Sequence, residues 1–383
     1  MKIVYILKSF AIKAGTERVI SDKMNFLAEQ GYEVTLVTYE QGYHPKAYNL
    51  NPSINYFDLN TRFFEIGKYG FFKRMKMYWQ LRHQFRIRLQ HFLDELQPDV
   101  IISTTYSMNL LDIILSIKTN ARKIIESHVA CYTEKKSYGY RNKPVLHYIV
   151  NIYDNWMFKK VAKAELLVVL TTGDASDWQK YTSCVRVIPN PLTVYPQNVL
   201  RHDGSGHRII CVGRLQEQKG FDMLIDAFAL IANKCLDWKI DIYGDGPDKQ
   251  QLIEKIKNNN MDNRIVINPP TNIIYEEYQK SEFFVLSSRF EGFPLVLGEA
   301  MSCGIPCVAF NCKYGPEDII RNNKNGLLVE NGNIKELSEK ILWMIEHVNE
   351  RLRMGQIARE DIQKYKKEIV MQKWIDLFDA RKN

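Results

Sequence analysis

Short apolar runs rich in Ile and Val recur along the chain, and most are followed by apolar residues at helical spacing. In the first half these runs are KIVYIL, YEVTLVT, DVIIST, KIIESH and AELLVVLT. The second half restarts the rhythm with RIICVGRL, WKIDIYGDG, RIVINP, SEFFVLSS and IPCVAF. Strands alternating with helices predict an α/β fold with parallel sheets, because a parallel pair needs a long crossover that a helix supplies. One such helix follows the first strand, where Val19, Ile20, Met24 and Leu27 share a face. Another is expected at the end of the chain, with Ile369, Trp374, Ile375 and Phe378 as its apolar stripe.

Between the halves lies RVIPNPLTVYPQNVLRHDGSGHR, whose three prolines and Gly-Ser-Gly run read as a linker, with the boundary near 192 to 206. A length of 383 residues also suits two domains, each able to bury its own core. The expected organisation is therefore 1–192, 193–366 and a terminal helix over 367–383. Each half should form an open, doubly wound sheet with its ligands at the carboxyl ends of the strands.

Composition narrows the class. With 45% hydrophobic and 25% charged residues the chain is an ordinary globular protein. The run between Lys2 and Lys8 is too short for a signal-peptide core, and the most apolar stretch, LHYIVNIY, falls well short of a span. A cytoplasmic location is expected. Seven scattered cysteines, none spaced as Cys-x-x-Cys, suit reduced thiols, and the group Cys303, Cys307, Cys312 lacks any nearby histidine for a zinc site.

The chemistry concentrates where strands end. Ala14-Gly15-Thr16-Glu17 leads from the first strand into a helix, a junction whose free N–H groups suit phosphate, although most such turns only turn. No Gly-x-Gly-x-x-Gly occurs, which removes the main support for a dinucleotide cofactor. Past the strand RIICV come Gly213, Arg214 and then Lys219, two cations placed to neutralise a diphosphate or else simply solvated. The next strand ends in Gly244-Asp245-Gly246-Pro247, a tight turn at the same edge. A third loop, SRFEGFPLVLGEA, carries Glu291 and Glu299 around a helix start at Pro294. Glu299 could be no more than a helix-dipole residue, but a carboxylate can also accept from two neighbouring hydroxyls.

Together these residues resemble glycosyltransferase family 4 on the GT-B fold. The resemblance rests on Ala-Gly-Thr-Glu-Arg at 14 to 18, Ile-Pro-Asn-Pro at 188 to 191, Gly-Arg-Leu-x-x-x-Lys-Gly at 213 to 220, Gly-Asp-Gly-Pro at 244 to 247 and the two glutamates at 291 and 299. It implies two Rossmann-like domains facing across a cleft, and a retaining transferase that takes a sugar from a nucleotide donor. Glu299 is implied to clamp the ribose and Glu291 to accept from the donor sugar. Gly292, Phe293, Pro294 and Leu295 would turn backbone N–H groups toward the sugar and diphosphate, with Gly15, Gly213 and Gly244 in the surrounding loops. Arg214 and Lys219 would carry the diphosphate, and His128, just past a first-domain strand, would bond the sugar. No nucleophile is evident, and the mechanism the resemblance implies is front-face displacement.

Members often have two consecutive glycines where this chain has Ala14-Gly15, which puts Gly15 in doubt because alanine tolerates positive φ poorly. No Asp-x-Asp occurs, so no metal and no other cofactor is expected. The segment FNCKYGPEDIIRNNKNGLLVENGN is similar to members that build surface polysaccharides or lipid-linked glycans. That favours a UDP-hexose or UDP-N-acetylhexosamine donor, leaves GDP-mannose open, and makes a glycan or polyprenyl-diphosphate-linked glycan the expected acceptor. Residues 62–91 hold eight Lys/Arg against Glu65, with interleaved aromatics. They are expected to meet an anionic membrane at its inner face or to form a solvated helix with core aromatics. No nucleic-acid module accompanies the charge. The rival readings are an epimerase or phosphorylase on the same fold, or a nucleotide-sugar-binding protein without turnover.

Overall fold

The computed structural model describes residues 1–12, 14–140, 142–199 and 203–380. The chain forms two compact units, residues 1–189 with 371–383 and residues 190–370.

The first unit holds seven strands among its described residues: β1 (Lys2–Leu7), β2 (Glu33–Thr38), β3 (Asn55–Asp58), β4 (Val100–Thr104), β5 (Arg122–Glu126), β6 (Leu166–Val169) and β7 (Val185–Val187). They form one parallel sheet in the order β3-β2-β1-β4-β5-β6-β7. Its central strands are buried along almost their whole length, as expected when helices cover both faces. Helices α1 (Gly15–Glu29), α2 (Phe71–Leu96), α3 (Met108–Ser116) and α4 (Pro144–Phe158) belong to this unit. On α1 the expected face is the buried one, with Val19, Ile20, Met24 and Leu27 all in the core.

The second unit repeats the plan with β8 (Arg208–Val212), β9 (Lys239–Tyr243), β10 (Ile265–Asn268), β11 (Phe283–Leu286), β12 (Cys307–Asn311) and β13 (Gly326–Glu330). The order is β10-β9-β8-β11-β12-β13, again parallel. Helix α5 (Phe221–Ala229) follows β8, and α6 (Leu295–Ser302) follows β11. Phe228, Phe283 and Phe310 fill the core on one face of the sheet, and Phe284, Met301 and Ile305 on the other.

The expected linker is not a free one. Leu192 is buried in the second core and its N–H donates to the Tyr365 carbonyl at 2.8 Å. Further on, Arg351 donates to the Gly204 carbonyl at 3.1 Å and to Glu282 at 2.9 Å, while Gly206 N–H donates to the other Glu282 oxygen at 2.9 Å. Proline-rich composition marked a boundary, but side chains from the second unit fasten most of this segment to it.

The last helix, α7 (Lys367–Asp379), starts in the second unit and from Met371 onward packs with the first. Its buried face is Val370, Met371, Trp374, Leu377 and Phe378. Ile369, expected in the stripe, is exposed, because the buried face begins one residue later. Arg122 donates to the carbonyls of Leu377 and Phe378 at 2.8 and 3.2 Å, which holds the last turn against the β5 start.

Candidate active site

In each sheet the chain winds outward in both directions from a central strand pair, β1/β4 in the first unit and β8/β11 in the second. Loops leaving such a pair diverge, which opens a crevice at the carboxyl edge. Most of the sequence-predicted residues fall at these points, while Gly244 follows the neighbouring β9 and His128 the neighbouring β5.

At the second pair, the loop after β8 carries Arg214 and Lys219, and the loop after β11 carries Glu291. Lys219 Nζ donates to Glu291 Oε1 at 2.7 Å, and Ser288 Oγ donates to the same oxygen at 2.7 Å. Both bonds go to Oε1, and Glu291 Oε2 has no hydrogen-bond partner among the described residues. Glu291 is buried, so an unpaired charge there would be costly, and Lys219 supplies the compensation. The Arg214 guanidinium is exposed and makes no ion pair among the described residues.

The two loops are stitched together by backbone. Arg289 N–H donates to the Gln218 carbonyl at 2.8 Å, Gln218 Nε2 donates to the Phe290 carbonyl at 3.0 Å, and Ser287 Oγ donates to the Lys219 carbonyl at 2.9 Å. Gly220 makes this approach feasible: its φ is +61°, and a Cβ there would stand 2.0 Å from the Ser287 carbonyl oxygen. The turn after β9 closes on the loop after β8 in the same way. A Cβ on Gly244 would stand 1.9 Å from the Gly213 carbonyl oxygen, so Gly244 is needed for backbone packing at that position.

Helix α6 begins at Leu295 with Pro294 as its N-terminal flanking residue, which suits a residue without an N–H. Gly292 and Phe293 lie just before it, in the loop. Glu299 sits one turn inside the helix, buried, where Tyr278 Oη donates to its Oε2 at 3.1 Å. Burial, reinforced by the Glu299 charge, pushes the Tyr278 hydroxyl well above its ordinary pKa, so it remains a donor. Neither Ser288 nor Tyr278 was singled out from sequence. Ser288 lies three residues before Glu291 in the same loop, whereas Tyr278 is distant by 21 residues and has no motif to mark it.

In the first unit, Gly15 opens α1 directly after Ala14, whose φ is −131°. The loop therefore asks for no left-handed backbone at residue 14, and alanine there introduces no strain. His128 follows β5 and is buried, with Nε2 at 3.0 Å from Glu126 Oε2 but not aligned as a hydrogen bond; Nδ1 has no hydrogen-bond partner among the described residues. Lys23 of α1 donates to the same Glu126 oxygen at 2.6 Å and lies 3.6 Å from the centroid of the Trp374 ring on α7. Burial would raise the Glu126 carboxyl, but the Lys23 charge and the His128 ring bring it down to about 2. Sequence reading found His128 and missed Glu126 and Lys23, which are 103 residues apart.

At the carboxyl edge of the first sheet, a cavity of about 640 Å³ is lined by Lys8, Glu40, Phe63, Arg74, Tyr78 and Tyr106 among others. Lys8 lies 3.4 Å from Glu40, and burial raises the Glu40 carboxyl despite that cation. The cysteine group is packing: Cys303, Cys307 and Cys312 are buried, and burial pushes the first and last thiols up to about 12.

Two parallel-sheet units, each with a switch point at its carboxyl edge, are the architecture of the GT-B fold. The structure matches that of Staphylococcus aureus TarM, solved as a variant with fondaparinux, α-GlcNAc-glycerol and UDP, with a TM-score of 0.76 over 99% of both chains at 18% identity. The model for glycosyl transferases group 1 matches residues 197–361, and that for glycosyltransferase family 4 matches residues 14–194. The chain belongs to glycosyltransferase family 4. It is 26% identical to an amylovoran biosynthesis glycosyltransferase of Erwinia amylovora over 99% of both chains. It is 27% identical to an uncharacterized glycosyltransferase of Haemophilus influenzae over 97% of this chain and 98% of that one.

Proposed function

We propose that the enzyme is a retaining transferase that moves a hexose or N-acetylhexosamine from a UDP-sugar to a glycan or lipid-linked glycan during surface polysaccharide synthesis. The observation that carries this reading is the convergence of Lys219, Glu291, Ser288 and the free cation Arg214 at one switch point, with Glu299 one helical turn away. UDP in the TarM structure and the polysaccharide role of the Erwinia relative favour the donor and pathway class.

In this mechanism Glu299 accepts from the ribose hydroxyls and Glu291 from a hydroxyl of the sugar, while Arg214 and Lys219 face the diphosphate. The bond from the anomeric carbon to the diphosphate oxygen breaks as the acceptor oxygen bonds to the same face. The acceptor proton passes to the departing diphosphate oxygen, and UDP leaves. Charge grows on the diphosphate toward the transition state, so the two cations act on the rate and not on binding alone. His128, with its unpartnered Nδ1, is assigned to a hydroxyl of the sugar. The cavity at the first sheet edge is assigned to the acceptor: its aromatic lining suits sugar faces and its cations suit phosphate. The diphosphate is assigned to Arg214, Lys219 and backbone N–H groups without a metal.

Calorimetric titration with UDP, GDP and their hexose conjugates in chelator tests the donor assignment. Selective binding of UDP species is expected. Binding of none of them would move the reading to a protein without transferase activity, and selective binding of GDP species would replace the donor.

A further inference from the structure

Helix α4 carries most of its apolar side chains outward. Its last turn joins the core through Met157 and Phe158, but further up the inward side is polar: Asp154 is buried and accepts from the Ser137 N–H at 2.8 Å, and Asn151 and Asn155 accept from Lys135 Nζ at 3.3 and 3.1 Å. Its outward side is apolar, with Val145, Tyr148, Ile149, Ile152 and Trp156 all exposed at helical spacing. A helix at a protein surface ordinarily shows the reverse arrangement, and a contiguous exposed apolar stripe marks an interaction surface.

A second exposed row lies on α2, where Phe72, Met75 and Trp79 share one side. Asp112 on α3 ties the two helices together. Arg82 of α2 pairs with one of its oxygens at 2.6 Å and Lys160, just past α4, lies 3.8 Å from the other. Each of these cations also sits over an exposed tryptophan, Arg82 at 5.5 Å from the Trp79 ring centroid and Lys160 at 4.3 Å from that of Trp156. Trp79 and Trp156, 61% and 59% exposed, thus flank one charge cluster and belong to one face.

Apart from Asp112, which Arg82 and Lys160 neutralise, the charge around this face is basic. Lys73, Arg74, Lys76 and Arg86 stand on α2, and Lys143, Lys159 and Lys163 bracket α4, all exposed. No acidic residue occurs between Glu65 and Asp94, and between Glu134 and Glu165 the only one is the buried Asp154. From this arrangement we infer that the α2–α4 face docks on an anionic lipid bilayer, with Ile149, Ile152 and the two tryptophans entering the interface. Lysines and arginines around them attract the headgroups, and tryptophan suits the boundary between water and hydrocarbon. A second copy is a poorer occupant, since a two-fold contact through this face would set its cations against their own images. Residues 62–91 therefore form only half of the surface, and α4 supplies the more apolar half. The inference stands independently of the transfer reaction.

Co-sedimentation of the full chain with vesicles of phosphatidylglycerol and phosphatidylethanolamine, against phosphatidylcholine alone, tests it. The protein is expected to pellet with the anionic vesicles, less so as salt rises, and not with the neutral ones. The double substitution Ile149→Asp, Trp156→Ser and, separately, Trp79→Ser are each expected to reduce binding by about tenfold or more. Both should keep the circular dichroism spectrum and UDP affinity of the parent, because they alter only solvent-facing positions. Absence of binding to anionic vesicles, equal binding to neutral ones, or unchanged binding in both variants would overturn the inference. So would self-association, seen by sedimentation velocity, that the same substitutions abolish in a parent that does not bind vesicles.

Discussion

The two switch points are built by different means. At β8/β11 the parts lie close in sequence to the strand ends, and glycines without side chains let two backbones touch, so that Lys219 and Glu291 meet. At β1/β4 and the adjoining β5 the surroundings of His128 rest on a buried ion pair between Lys23 on α1 and Glu126 at the end of β5, closed over by Trp374 from α7. Local loop geometry shapes the first site, and long-range packing of charge shapes the second. The second unit has a comparable buried pair, Arg351–Glu282, but it fastens the 204–206 segment and takes no part in the site.

Breaking either buried pair should have the largest effect on the fold. Lys23→Met leaves Glu126 unpaired, and Arg351→Met does the same to Glu282, at a cost of about 3–5 kcal/mol each. Denaturant unfolding measures the loss. The contrast lies in catalysis: among molecules that remain folded, Arg351→Met should turn over normally, whereas Lys23→Met should be slowed because His128 loses the carboxylate arrangement beside it. Equal kcat in the two would remove the distinction between them.

Lys219→Ala also removes the cation from a buried carboxylate, Glu291, but Ser288 still donates to it, so a smaller loss of stability than in the two Met variants is expected beside a fall in kcat of about 10²–10³, the scale of losing one charge-stabilising group at a developing anion. Measuring kcat and KM separately decides whether the group serves the transition state or only donor binding. The smallest effect is in pH. Glu126 is brought down from 4.5 to about 2 on folding, so its charge contributes stability that is present above pH 4.5 and lost as pH falls toward 2. The stability difference between the parent and Glu126→Gln should therefore shrink over that acid range and stay flat above it, as read by urea titrations at stepped pH.

The same contrast explains what could be read from sequence. Nine of the ten strands read as apolar runs lie inside the sheets, and the tenth, β10, is an edge strand that kept an apolar run. The three missed, β3, β7 and β13, are the other three edges. An edge strand needs less apolar character: β3 shows NYFD with half its positions exposed, and β7 is only three residues long, inside a stretch whose prolines suggested a linker. Similarly, Gly213, Lys219, Glu291 and Glu299 are legible because their spacing is local. Lys23, Glu126 and Tyr278 are single residues whose partners come from other elements. Helix α4 escaped for a third reason: LHYIVNIY read as apolar, but which side of the helix faced the core depended on Lys135, Ser137 and the polar groups they satisfy.

The assignment of Glu299 to the nucleotide is the centre of the account, and a titration of UDP into Glu299→Ala, beside the parent and Glu299→Gln, tests it most directly. Circular dichroism and a melting curve accompany it, because removing the acceptor of the Tyr278 hydroxyl costs about 1–3 kcal/mol. A folded Glu299→Ala with UDP affinity lowered by about tenfold or more, and Glu299→Gln between it and the parent, is the predicted result. UDP affinity equal to that of the parent in folded Glu299→Ala would contradict it.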